Sequence, residues 1–204
     1  MSVGVLVTGS PRSGTTLLTG FLEMMGFELR TQGQDRQFLE NPQIGTTLSS
    51  IFSRCGMSLL TGEFTGDLNR WEPACNESFN QLCNEINELA QHDYWAFKNV
   101  NACRAFPVME AAFAGRDMRY VVTVRDRTDC ARSVSKFFKV GLGEAYEIHD
   151  DFVRCASLMP QPACHVYYED LRANWRPVME CVAASLDFIP PDMPSDEQAA
   201  KWIH

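Results

Sequence analysis

The feature that most restricts how this chain can fold is its start, where an apolar run, Val3 to Thr8 (VGVLVT), leads directly into GSPRSGTTLL, Gly9 to Leu18. A short, β-branched run without polar alternation suits a central parallel strand covered on both faces. After the loop, Leu17, Leu18, Phe21, Leu22 and Met25 recur at helical spacing, and Gly26 stands where a C-terminal cap belongs. A strand, glycine loop and helix in that order need a parallel sheet to pack into. They put the loop at the carboxyl edge of that sheet, where ligands bind.

The rest of the chain supplies such a sheet. Tyr94 to Lys98 (YWAFK), Met118 to Val124 (MRYVVTV) and Ala163 to Tyr168 (ACHVYY) read as further strands. Helices are expected over Thr15 to Met25, Pro42 to Ser53, Glu77 to Gln91, Phe106 to Gly115, Gly143 to Leu158 and Trp175 to Leu186. Another runs to Lys139, with Thr128 or Asp129 as its cap. The polar stretch from Arg30 to Asn41 reads as a loop near the active site, and Gly62 to Cys75 yields no assignment. Strands alternating with helices predict an α/β fold, a three-layer α/β/α, P-loop-like domain with a central parallel sheet. At 204 residues and 45% hydrophobic, residues 1–204 have the length of one domain.

A net charge of −8 argues against a general binder of nucleic acid or of anionic membranes, so a polyanion site must be built locally from a few arginines and backbone N–H groups. No apolar run approaches the ~20 residues that span a bilayer. The start of the chain lacks the pattern of a signal peptide. The eight cysteines form no CxxC pair and read as free thiols in a reducing compartment. A cytoplasmic protein is expected, with no metal site.

In the opening loop, Gly9 and Gly14 permit backbone angles closed to other residues, so N–H groups can turn around an anion while the following helix adds its positive end. Ser13, Thr15 and Thr16 add hydroxyls. The nucleotide-hydrolase pattern GxxxxGK[ST] would read GSPRSGTT here, with Thr15 in the lysine's place. Arg12 can supply the missing charge as a planar fork suited to phosphate or sulfate. A second anion element follows MRYVVTV: RDRTDCARS places Arg125 at a strand end and Ser133 in the next helix. Together they imply a ligand with two separated anionic groups.

PRSGTT and RDRTDCARS together resemble the sulfotransferases that use 3′-phosphoadenosine 5′-phosphosulfate (PAPS), closest in style to the bacterial and tyrosylprotein branches. YYEDL, Tyr167 to Leu171, is similar to that family's late-strand YEDL, and the likeness runs from residue 3 to about 190. It implies that Arg12, Ser13, Gly14, Thr15 and Thr16 hold the 5′-phosphosulfate and that Arg125 with Ser133 holds the 3′-phosphate. The acceptor would be a hydroxyl or amine on a small molecule, carbohydrate or peptide.

For catalysis, Arg12 and Lys98, which ends YWAFK, are candidates for charge stabilisation. The chain departs from the family's pattern at the base: cytosolic members carry histidine two residues after that lysine, and here stands Val100. Glu40 or Asp35 could serve from the polar loop. His92, His149 and His165 show no partner in the sequence and read as structural. The tail SDEQAAKWIH offers only Lys201 where relatives carry a basic segment. Two rivals are a magnesium-dependent kinase using Asp126 or Asp170, and an inactive protein that binds adenosine 3′,5′-bisphosphate.

Overall fold

In a computed structural model of the protein, the described residues are 2–30, 39–54, 73–160, 163–190 and 193–203. Four strands, β1 (Val3–Gly9), β2 (Tyr94–Lys98), β3 (Asp117–Val124) and β4 (Cys164–Tyr167), form a wholly parallel sheet in the order β2-β1-β3-β4. Alternation along each strand sends side chains to opposite faces. Leu6, Trp95, Phe97 and Val122 enter one core, and Val5, Val7, Ala96 and Val121 enter the other.

The first core is covered by α2 (Pro42–Arg54), α3 (Pro73–Leu89), α4 (Phe106–Ala112), α5 (Arg127–Phe138) and α6 (Leu142–Ser157). The second lies under α1 (Thr15–Met24), α7 (Tyr168–Ala173), α8 (Trp175–Ser185) and α9 (Asp196–Ile203). This is the expected α/β arrangement of helices on both faces of a parallel sheet. The register pairs Val7 with Lys98 and Gly9 with Thr123, so the glycine loop, Lys98 and Arg125 emerge at one carboxyl edge.

Four local expectations need correction. The cap of α5 is Asp126, not Thr128 or Asp129: its carboxylate accepts the N–H groups of both, each at 2.9 Å. The last strand ends at Tyr167, and Tyr168 opens α7. Helix α3 begins at Pro73, a residue suited to a first helical turn, ahead of Glu77. The tail is not merely a carrier of Lys201: it folds as α9, opened by a capping box in which Ser195 N–H donates to Gln198 Oε1 (2.8 Å) and Gln198 N–H to Ser195 Oγ (3.2 Å). Among the described residues, no helix is long and apolar enough to cross a membrane.

Candidate functional site

The loop between β1 and α1 is shaped by its backbone. Gly14 takes a left-handed φ of 100° and precedes α1 without any side-chain cap, and the first N–H groups of a helix have no intrahelical partner. A Cβ at Gly14 would lie 2.4 Å from the Tyr168 ring, so both backbone angle and packing require glycine. Arg12 also has a left-handed φ, 69°, a conformation that side-chain-bearing residues seldom adopt. Ser13 braces the loop from within. Its hydroxyl shares a 2.6 Å bond with Thr123 Oγ1, and its N–H donates to Ser10 O at 3.1 Å.

The two elements that the sequence marks as candidate anion sites meet as one array. Arg125 Nη1 donates to the Arg12 carbonyl at 3.0 Å, and Arg12 Nε donates to Ser133 Oγ at 3.2 Å. The Arg125 guanidinium lies 4.4 Å from the centre of the Tyr168 ring, and that of Arg12 lies 4.9 Å from the centre of Phe137. Arg125 Nε is buried and has no hydrogen-bond partner among the described residues. A buried donor left without a partner is costly, so the Arg125 side chain carries an unmet hydrogen-bonding capacity at this edge of the sheet.

On the other flank, Lys98 is 4% exposed, donates to Thr16 Oγ1 at 3.1 Å and pairs with Glu40 Oε1 at 3.0 Å. Burial lowers the Lys98 pKa from the usual lysine value; the Glu40 charge and hydrogen bond oppose this, and Arg12 adds to it. Glu40 is held by its neighbours: it makes a parallel bridge to Lys98, and Asn41 accepts the Ile44 N–H at 3.0 Å as α2 begins. Asp35 lies outside the described residues.

These groups border a cavity of about 420 Å³. Arg12, Gly14, Thr15, Thr16, Lys98 and Arg125 line it, together with Glu40 and the aromatic side chains Phe137, Phe138, Tyr168 and Trp202. Ser13 and Ser133 brace its wall through Thr123 and Arg12. Sequence reasoning missed Trp202. The SDEQ capping box announces α9 but cannot say where the helix docks. His149, which shows no partner in the sequence and reads as structural, finds one in the fold: its Nδ1 lies 3.1 Å from Ser10 Oγ. Of the carboxylates weighed as magnesium ligands, Asp126 caps α5 and Asp170 sits exposed in α7.

The sulfotransferase family model matches residues 4–190. Among solved structures, the sulfotransferase domain from the olefin synthase of Synechococcus PCC 7002 is similar at a TM-score of 0.59 and 18% identity, over 97% of this chain and 76% of that one. The sulfotransferase domain from the curacin biosynthetic pathway gives 0.53 and 15%, over 100% and 78%. Sulfotransferase STF9 from Mycobacterium avium gives 0.52 and 15%, over 98% and 67%. No curated protein matches the sequence significantly. At such identities the structural likeness is one of fold.

Proposed function

Since the chain belongs to the sulfotransferase family, we propose that it transfers a sulfuryl group from PAPS to a hydroxyl or amine of a small-molecule, carbohydrate or peptide acceptor. The observation that carries the PAPS assignment is the array in which Arg125, Arg12 and Ser133 meet beside the glycine loop at the cavity. The residues fit a ligand with two separated anionic groups. Gly14, Thr15 and Thr16 would hold the 5′-phosphosulfate at the amino end of α1, with Ser13 fixing the loop's shape. Arg125 and Ser133 would hold the 3′-phosphate, with Arg12 reaching between the two groups.

When bound, PAPS supplies a sulfuryl group attached to a good anionic leaving group. The chain's own residues then orient and neutralise. Lys98 brings a positive charge to Thr16, beside the phosphosulfate loop, and Arg12 brings a second. The Glu40 carboxylate, which lines the cavity while paired with Lys98, takes the proton of the acceptor; Asp35 is the alternative base. A reducing, cytoplasmic setting is part of the proposal, since the eight cysteines are scattered along the sequence without a CxxC pair.

Calorimetry with adenosine 3′,5′-bisphosphate and with Mg-ATP tests the reading. Tight binding of the bisphosphate is expected, and Arg125→Ala should weaken it by roughly 1.5 to 3 kcal/mol, the range for a hydrogen bond to a charged group. A preference for Mg-ATP would instead favour a kinase. Bisphosphate binding without sulfation of any hydroxylated or amine acceptor would leave a binding protein.

A further inference from the structure

The glycine loop is also held from behind, by side chains that the donor site does not use. His149, on α6, is 5% exposed, and its flanking turn buries Ile148 and Phe152 completely. A polar ring in such surroundings is costly unless it is hydrogen-bonded, and its Nδ1 lies 3.1 Å from Ser10 Oγ. Ser10 opens the loop, and its carbonyl accepts the Ser13 N–H at 3.1 Å, the bond that turns the chain toward α1. From α5, Cys130 Sγ reaches the same hydroxyl at 3.5 Å and the Pro11 carbonyl at 3.2 Å. Two helices of one layer therefore grip the loop at its first turn, just ahead of Arg12 with its left-handed backbone.

We infer that His149 is a positioning residue: through Ser10 it fixes the first turn of the glycine loop in the shape that receives the donor's anionic end. The inference rests on the donor-site reading above. Residues in sparsely populated backbone conformations persist only when their surroundings hold them, and small displacements of a binding loop are costly to function. The groups acting on the imidazole are Asp150 beside it on α6, Asp126 and Arg127 where α5 begins, and Ser10 at its hydrogen-bonded end, itself reached by Cys130. Burial dominates and lowers its pKa from 6.5; Asp150 and Asp126 oppose this, and Arg127 adds to it. At neutral pH the ring is therefore an uncharged hydrogen-bond partner to the loop.

Bisphosphate affinity should be measured for the wild type, S10A, H149L, S10A/H149L and H149N. S10A and H149L should each weaken binding roughly three- to tenfold, the range of one buried hydrogen bond, and the double variant should be no weaker than the worse single one. H149N, whose amide can reach the position of Nδ1, should return to within about twofold of the wild type, since one hydrogen bond is all that is being replaced. Additive losses, or H149N as weak as H149L, would overturn the inference and leave His149 a space-filling residue. Should H149L fail to fold, the NMR titration of the His149 ring decides: S10A should move its pKa, and an unchanged titration overturns the coupling. A wild-type protein that binds no bisphosphate would defeat the donor-site reading instead, and the titration would still test the link between His149 and Ser10.

Discussion

At the scale of single residues, the acid-base question turns on Glu40 and Lys98. The sequence offers two carboxylates, Glu40 and Asp35, in a polar loop, and spacing cannot rank them. The fold brings Glu40 to the cavity by pairing it with Lys98 along the backbone and through a 3.0 Å ion pair. Glu40→Gln should lower kcat by roughly 10²- to 10⁴-fold, the usual contribution of a general base, while bisphosphate affinity stays near that of the wild type. Single-turnover sulfation measures this, and a rate close to wild type would make Asp35 the base. The residues proposed to bind anions were legible in the sequence, because strand ends, glycines and arginines announce themselves by position. The contact of Arg12 with Ser133 was not: it depends on how β1 and α5 sit across the sheet edge, the two residues being 121 positions apart.

At the scale of elements, α9 is the least expected part of the molecule. Its Trp202 lies flat against Gly20 of α1, where an added Cβ would come within 2.7 Å of the indole, and it also walls the cavity. Arg176 of α8 ties the helix down, donating to Pro194 O at 3.3 Å and pairing with Asp196 at 3.2 Å. Trp202→Ala should cost roughly 2 kcal/mol of stability, as expected for uncovering a large apolar side chain's partners. Urea denaturation gives the value, and no change in the midpoint would mean that α9 is not seated on α1. The strands were the most legible elements, since YWAFK and MRYVVTV combine β-branched and aromatic residues with bracketing turns. The start of α5 was less so. Asp126, Thr128 and Asp129 are all capping types in close succession, and only the backbone path selects Asp126.

For the whole molecule, the burial of His149 makes stability depend on pH with a definite sign. Its folded pKa lies below 6.5, so as pH falls through 6.5 the unfolded chain takes up a proton before the folded one does. The contribution is present above that pH and lost as the pH drops toward the folded value. Between about pH 7.5 and about pH 5.5, the Tm of the wild type should therefore fall more steeply than that of H149N. Equal slopes in thermal melts at matched ionic strength would remove His149 as the source. The chain by itself determined the α/β class, the position of the glycine loop at the sheet edge and the two elements proposed to bind anions. All three follow from local periodicity, from the few residues that tolerate special backbone angles, and from the geometry of parallel strands. The tertiary structure alone decided that Arg12, Arg125 and Ser133 form one array, that Glu40 faces Lys98, that Trp202 closes a wall and that His149 backs the loop. Contacts of that kind join residues far apart in sequence, and their existence depends on packing distances that no local pattern records.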